Sequence, residues 1–149
     1  MPRATLYYMP PLNPQVLGQA ENALRALLER HLAGTGLDYQ RWVALSLVRA
    51  SVASADGELF DHLRSALKVD ESIARAAIAD LVLAGFVESG GGRIQLTGAG
   101  AKRHADIKAR IDDTIRDLYK NIPATDLDVA GRVLVQLATR ANAMLDRAP

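Results

Sequence analysis

The sequence contains no cysteine, few aromatic residues and no long apolar run. Without cysteine, the 149-residue chain can form no disulfide and offers no thiolate to a metal, which is typical of proteins of the reducing cytoplasm. Aromatic residues make up 5% of the chain, so its core must consist mainly of Leu, Ile, Val and Ala. No run approaches the length that spans a bilayer, and the N-terminal stretch MPRATLYYMPPLNP has no signal-peptide core. We therefore expect a cytoplasmic protein without a membrane partner.

A strong excess of one charge sign is also missing. Residues 1–57 contain five Lys/Arg and four Asp/Glu, residues 58–104 contain six of each, and residues 105–149 contain seven of each. Any nucleic-acid binding must therefore depend on local geometry rather than on bulk charge. The length and the apolar fraction of 49% are those of one globular domain with a core of its own.

Helical periodicity and helix-capping residues predict six helices after an extended, proline-containing N-terminal arm. The first is the clearest, because Asn13 is a good N-cap, Pro14 suits the first turn, and the GTG at 34–36 ends the pattern. The six predicted helices begin close to Pro14, Asp38, Glu58, Asp70, Thr97 and Thr125. Between the fourth and fifth helices lie two strand-like runs, Phe86–Ser89 and Arg93–Thr97, joined by three glycines.

The third and fourth helices are short and are joined by the three-residue linker 68–70, and a hairpin follows them. This order is typical of a helix-turn-helix with a wing. One face of the fourth helix would then stay free to enter a DNA groove, with the hairpin beside it. The residues predicted to face inward on the fourth helix are Ala74, Ala77, Ile78, Leu81 and Val82. We predict a mainly α fold with a small β-hairpin.

An ordered pattern runs through this region: a leucine-anchored helix, a recognition helix, an exit of the type L-x-x-x-G-F-V, and L-T-x-x-G after the wing. Its residues are Leu63, Leu67, Ser72, Leu81, Gly85, Phe86, Val87, Leu96, Thr97 and Gly100. The set resembles the MarR family of bacterial transcription regulators. The resemblance implies one domain over 1–149, with a winged helix-turn-helix at 38–99 and dimerisation helices at 1–35 and 100–149. It further implies a homodimer that binds double-stranded DNA at a short pseudo-palindrome. A small aromatic or lipophilic effector would weaken this DNA binding, and no cofactor is implied.

The outward face of the fourth helix carries the first candidates for DNA contact. Arg75 is its one long cationic donor and could bind a guanine edge or hold a phosphate. Ser72 lies near the helix start, where it could donate to a phosphate, and Ile73 or Ala76 could meet a thymine methyl group. The alternative is an alanine-rich packed helix with one solvated arginine.

Basic residues outside that helix are the next candidates. The possible phosphate ligands are Arg64, Lys68, Lys102 and Arg103, and plain solvation is the alternative for each. Arg93 follows the wing turn, where it could enter the narrow minor groove or pair with Glu88 across the hairpin. The family's wing carries an Asp-Arg pair in a longer loop, so contact between this shorter wing and DNA stays open.

His31, Tyr39 and Trp42 are the candidates for a ligand pocket, should the first two helices line one. The alternatives are a partly buried, satisfied histidine at position 31 and core or interface packing for Trp42. The three histidines are too far apart in sequence for a metal motif.

The favoured function is a ligand-responsive repressor. The alternative is a winged-helix protein-interaction module that no longer binds DNA, which the balanced charge and short wing would suit. No Ser/His/Asp or paired-carboxylate arrangement supports an enzyme.

Overall fold

Within residues 9–50 and 56–147, which the computed structural model describes, the chain forms six helices and one two-stranded antiparallel sheet. The elements are α1 (Pro14–Leu32), α2 (Tyr39–Ala50), α3 (Asp56–Leu67), α4 (Glu71–Leu83), β1 (Val87–Gly90), β2 (Arg93–Leu96), α5 (Gly98–Tyr119) and α6 (Ala124–Leu145). The predicted mainly α fold with a small hairpin is therefore confirmed. The first eight residues of the predicted N-terminal arm lie outside the described part of the chain.

The predicted side chains cap α1, α2 and α5, whereas Asp70 takes the cap position of α4 without a side-chain hydrogen bond and α3 begins at Asp56. The Asn13 side chain accepts a hydrogen bond from the backbone N–H of Val16 at 2.9 Å, which satisfies one of the free donors of α1. The prediction that Thr125 opens the last helix is wrong, because α6 begins at Ala124. The extended backbone of Pro123 takes the cap position there, and its carbonyl accepts the N–H groups of residues 126 and 127.

The chain divides into two compact units, one ending at Ile111 and the other beginning at Asp112. The core of the first unit is aliphatic, as the scarcity of aromatic residues predicts. Its fully buried side chains include Leu32, Leu45, Leu59, Leu63, Leu81, Val87 and Ile107. Each such side chain stabilises the unit by about 1.5–3 kcal/mol relative to exposure. This core fixes α3, α4 and the sheet against α2.

The hairpin that follows α4 has a two-residue turn rather than a three-glycine loop. Gly90 already belongs to β1 and pairs with Arg93, so Gly91 and Gly92 alone form the turn. Their φ angles are +61° and +73°, as a type I′ turn requires at both central positions. That turn matches the right-handed twist of the strands, which explains the short, closed ribbon.

The start of α5 is fastened to the end of α4 and the beginning of the wing. The Thr97 hydroxyl donates to the carbonyl of Gly85 at 2.6 Å and accepts the N–H of Gly100 at 3.0 Å, so the predicted cap is confirmed. A Cβ atom on Gly100 would lie 1.9 Å from the carbonyl oxygen of Phe86. The threonine and the glycine of L-T-x-x-G are both explained by this junction.

The second unit contains the end of α5 and all of α6. No residue of α6 is buried, although the helix is 22 residues long. Its exposed large apolar side chains are Val129, Val133, Leu134, Val135, Leu137, Met144 and Leu145. None of the described helices combines the length and apolar character needed to cross a membrane.

Candidate nucleic-acid interface

The buried face of α4 determines which of its side chains face outward. Ala74 and Leu81 are fully buried, and Ala77 and Ile78 are nearly so, as predicted. The inward assignment of Val82 is wrong, because its side chain is 39% exposed. Successive side chains of an α-helix are rotated by about 100° around its axis, so Val82 lies at the edge of the buried stripe that contains Leu81.

The opposite face of α4 is open. Ser72, Ile73, Arg75 and Ala76 are all exposed, Ile73 to 39%. This exposure alone does not separate a DNA contact from the alternative of an alanine-rich packed helix with one solvated arginine.

A bridge from α2 holds α4 in place below that surface. The guanidinium of Arg41 donates to one oxygen of Asp80 from Nη2 at 2.7 Å and from Nε at 3.1 Å. The Arg41 backbone N–H in turn donates to the Asp38 side chain at 2.9 Å, so the cap of α2 and the bridge share one residue. Asp80 is thereby engaged by a neighbouring helix of the same chain.

Arg75 is held by two neighbours. Its Nη2 and Nε atoms lie 2.7 and 2.8 Å from a single carboxylate oxygen of Glu71, one helical turn earlier. Its guanidinium carbon also lies 4.4 Å from the ring centroid of Phe60 on α3. Arg75 is therefore neither freely solvated nor buried, which is a state that the sequence analysis did not predict.

Glu71 is charged at neutral pH. The hydrogen bond from Arg75 and then the positive charges of Arg75 and Arg64 hold the pKa of Glu71 below its ordinary value. A carboxylate thus shares the outward face of α4 with the arginine. The four-residue spacing of Glu71 and Arg75 could have indicated this ion pair from the sequence alone.

The other basic candidates are distributed around α4. Arg64 lies on α3 with Nη1 3.9 Å from a carboxylate oxygen of Asp61, and Lys68 lies in the turn between the two helices with a φ of +54°. Lys102 pairs with Asp106 at 2.9 Å, and the Arg103 guanidinium lies 5.4 Å from the ring centroid of Phe86. The last two cations are thus engaged on or beside α5.

Arg93 stands exposed at the end of the wing turn. The proposed cross-strand pair with Glu88 is wrong, because the register places Arg93 opposite Gly90 and Glu88 opposite Gln95. The amide of Gln95 donates to the Glu88 carboxylate at 3.1 Å. The two-residue turn causes this shift, since a three-residue loop would have changed the pairing of every following residue.

The three candidates for a ligand pocket contact different neighbours. The Tyr39 ring lies 4.4 Å from the guanidinium carbon of Arg25, whereas Trp42 stacks on His104 with centroids 4.7 Å apart and planes 10° from parallel. His31 is half-buried near the end of α1, as its alternative predicted. Within residues 9–50 and 56–147, no group of three His, Cys, Asp or Glu side chains is placed to hold a metal.

His104 is the residue of this region that sequence reasoning missed. It is 4% exposed, its Nε2 lies 3.2 Å from the Ser46 hydroxyl, and its Nδ1 has no hydrogen-bond partner in the described part of the chain. Burial, followed by the charges of Arg49 and Lys108, lowers the pKa of His104. Its spacing of three and seven residues from Ile107 and Ile111 places it on the inward stripe of α5, a signal that could have identified it.

The chain was compared with known proteins. No protein-family model and no curated protein match it. Solved structures do match, among them the reduced form of MarR from E. coli, with 19% identity, coverage of 89% of this chain and 97% of that one, and a TM-score of 0.67. The chain has the MarR-family fold. CouR from Rhodococcus jostii RHA1, bound to p-coumaroyl-CoA, shares 20% identity over 83% of this chain and 88% of its own, with a TM-score of 0.71. A MarR-family regulator from Silicibacter pomeroyi shares 17% identity over 85% and 88%, with a TM-score of 0.70.

The elements that carry the candidate residues can be assigned to parts of the MarR fold. In this fold α3 and α4 are the helix-turn-helix and β1–β2 is the wing, as the sequence resemblance implied. The outer face of α4, the turn at Lys68 and the exposed Arg93 therefore belong to the helix-turn-helix and the wing of this fold.

Proposed function

We propose that this protein is a homodimeric transcription regulator that binds a short pseudo-palindromic DNA site as a ligand-responsive repressor. The open outer face of α4, beside a short wing in a MarR fold, is the observation that carries the proposal. Each recognition helix would enter one of two successive major grooves, with the twofold symmetry of the protein matching that of the site. The matched structure from Silicibacter pomeroyi is a transcription regulator, which favours this class over an enzyme.

The second copy is proposed from the state of the C-terminal helix. A 22-residue helix without one buried side chain gains little stability within its own chain, because tertiary packing of an apolar face stabilises most protein helices. A second copy would cover that surface. We assign residues 1–35 and 100–149 to dimerisation and residues 38–99 to DNA binding.

The DNA contacts are proposed residue by residue. Arg75, Ser72, Ile73 and Ala76 would face base edges and nearby backbone in the major groove. Two cations around them, Arg64 and Lys68, would bind phosphates, and Arg93 would reach into the narrow minor groove. Because the charge of residues 58–104 is balanced, these local contacts would have to supply the affinity.

The proposed effector is a small aromatic or lipophilic molecule. One neighbour of the same fold holds p-coumaroyl-CoA, which contains an aromatic acyl group. In this chain Tyr39 and Trp42 remain the aromatic candidates for the contact, with His31 as a polar one. Effector binding would favour a conformation with a different spacing of the recognition helices and would weaken DNA binding through that difference in affinity.

Selection of binding sequences from random duplex DNA tests the proposal. We expect enriched sites with twofold symmetry and half-sites about one helical turn apart. Arg75→Ala should weaken binding to the enriched site by about 1–3 kcal/mol and relax the preference at one base pair. Arg49→Ala, which removes an equal charge from the exposed surface of α2 outside the proposed dimerisation and DNA contacts, is the control. Undiminished binding by Arg75→Ala would contradict its assignment as a base reader.

A protein-interaction module is the second candidate function. The ion pair of Arg75 with Glu71 favours it, because that pair reduces the positive charge of the exposed face. A failure of the wild-type protein to enrich any sequence, even at low salt, would support this alternative and reject the repressor.

A further inference from the structure

The Glu71–Arg75–Phe60 cluster at the outer face of α4 leaves one edge of the arginine without a hydrogen-bond partner among the described residues. A guanidinium carries five N–H donors in a planar fork. The Nε and Nη2 atoms of Arg75 are the ones that meet Glu71. The edge formed by Nη1 and the second hydrogen of Nη2 makes no contact with Glu71. That edge has the spacing that binds O6 and N7 of a guanine together.

We propose that Glu71 and Phe60 are positioning residues that hold Arg75 ready to read a guanine. The inference rests on the proposed DNA binding and deepens it. Neither residue needs to touch the guanine itself. Glu71 fixes the rotation of the guanidinium within its plane, and Phe60 fixes the orientation of that plane.

The two contacts restrict different motions of the same side chain. The carboxylate of Glu71 binds two atoms of the fork through one oxygen, at 2.7 and 2.8 Å. The ring of Phe60 belongs to another helix and is 8% exposed, so the core of α3 holds it still. An arginine ordered before it meets DNA loses less conformational freedom on binding than a solvated one.

The charge of Glu71 separates this role from a simpler one. A carboxylate on the DNA-facing surface repels every phosphate, whatever the base sequence. If repulsion were its only effect, removing it would strengthen binding to all duplexes by the same factor. A positioning role predicts a loss that is confined to one base pair.

The experiment compares two duplexes, the selected site and the same site with the guanine pair read by Arg75 replaced. The ratio of the two dissociation constants measures discrimination, which should be about 5- to 150-fold for a two-donor contact. We expect Glu71→Ala to lower this ratio most of the way towards one, while binding to the altered duplex stays equal or strengthens. Glu58→Ala, which removes a carboxylate from the exposed surface of α3, is the matched control and should leave the ratio unchanged.

Two further variants keep the test independent of folding. Phe60→Leu keeps an apolar side chain but removes the ring, and it should lower the ratio with the thermal midpoint monitored in parallel. In an Arg75→Ala background, Glu71→Ala should have no effect on the ratio, because nothing remains to be positioned.

The outcomes separate the inference from the function on which it rests. An unchanged ratio in Glu71→Ala, with a wild-type protein that binds its site, overturns the positioning role alone. A uniform gain in affinity for both duplexes also overturns it, in favour of plain repulsion. If the wild-type protein selects no DNA at all, the positioning role and the proposed function fail together.

Discussion

His104 combines a stacked ring with a buried nitrogen, and both have consequences for pH dependence. Trp42 covers one face of the ring, and the Ser46 hydroxyl meets Nε2. Burial and the charges of Arg49 and Lys108 lower its pKa from the ordinary value of 6.5. In this state the imidazole stays neutral under conditions in which a solvated histidine would take up a proton.

Acidification should therefore destabilise the protein through His104. Below a pH of about 6.5, His104 is protonated in the unfolded chain but stays neutral in the native protein. The free energy of unfolding therefore falls as the pH falls towards the lowered pKa of the native state. His104→Gln, which stays uncharged, should show a weaker dependence. Urea unfolding at a series of pH values measures this, with the exposed His62 replaced by Gln as the control. Identical slopes in wild type and His104→Gln would contradict it.

Single residues were predictable where a regular spacing carried the signal. The outward positions of Ser72 and Arg75 follow from helix periodicity, and the four-residue spacing of Glu71 and Arg75 could have indicated their ion pair. The stacking of Phe60 on Arg75 could not be read in this way, because it depends on how α3 and α4 pack. The bridge between Arg41 and Asp80 joins residues 39 positions apart and has the same cause.

At the scale of elements, the junction of α4, the wing and α5 is held by several close contacts. Thr97 links the end of α4 to the first turn of α5, and Gly100 lets α5 approach the backbone of Phe86. The placement of the wing beside α4 depends on this close approach.

Gly100→Ala should loosen that junction. Its Cβ would meet a backbone oxygen, which cannot rotate away like a side chain, so we expect a loss of at least about 2 kcal/mol in the free energy of unfolding. Gly98→Ala is the matched control, because nothing lies within 4 Å of its added Cβ and the change should stay within about 1 kcal/mol. Chemical denaturation of the two variants measures the difference, and equal midpoints would disprove the tight contact.

Capping chemistry located the starts of α1, α2 and α5, but Asp70 takes the cap position of α4 without a side-chain hydrogen bond. Asn13, Asp38 and Thr97 mark true helix starts because each side chain accepts a backbone N–H. Thr125 has the same chemistry, yet the proline two residues earlier already supplies the cap geometry. Three consecutive glycines permit several hairpin registers, and only the strand twist selects the two-residue turn.

At the scale of the whole molecule, the sequence of one chain does not specify what covers the apolar residues of α6. Its apolar residues follow a helical pattern, and the resemblance to the MarR family implied dimerisation helices. The burial of those residues would depend on a second copy, which no intrachain pattern specifies. The proposed operator and effector are likewise properties of partners and stay predictions.

The proposed dimer predicts a stability that depends on protein concentration. The thermal midpoint should rise with concentration, and the mass in solution should be about twice the 16.1 kDa of one chain. Leu145→Glu should weaken the association, because this side chain is 70% exposed in a single chain and its replacement disturbs little else there. Gln136→Glu, a charge added at a polar position of the same helix, is the control. A mass of one chain at every concentration would rule out the dimer.

The two-glycine turn limits what the wing can do. Strands of four residues extend about 13 Å, so the ribbon is a short finger. The turn consists of two glycines, which have no side chains. A flat partner surface can therefore approach the backbone of the turn to van der Waals distance. The wing therefore has no side chains at its turn, and its one long cationic side chain, Arg93, directly follows that turn. Its reach would be set by the span of one arginine side chain rather than by the length of a loop.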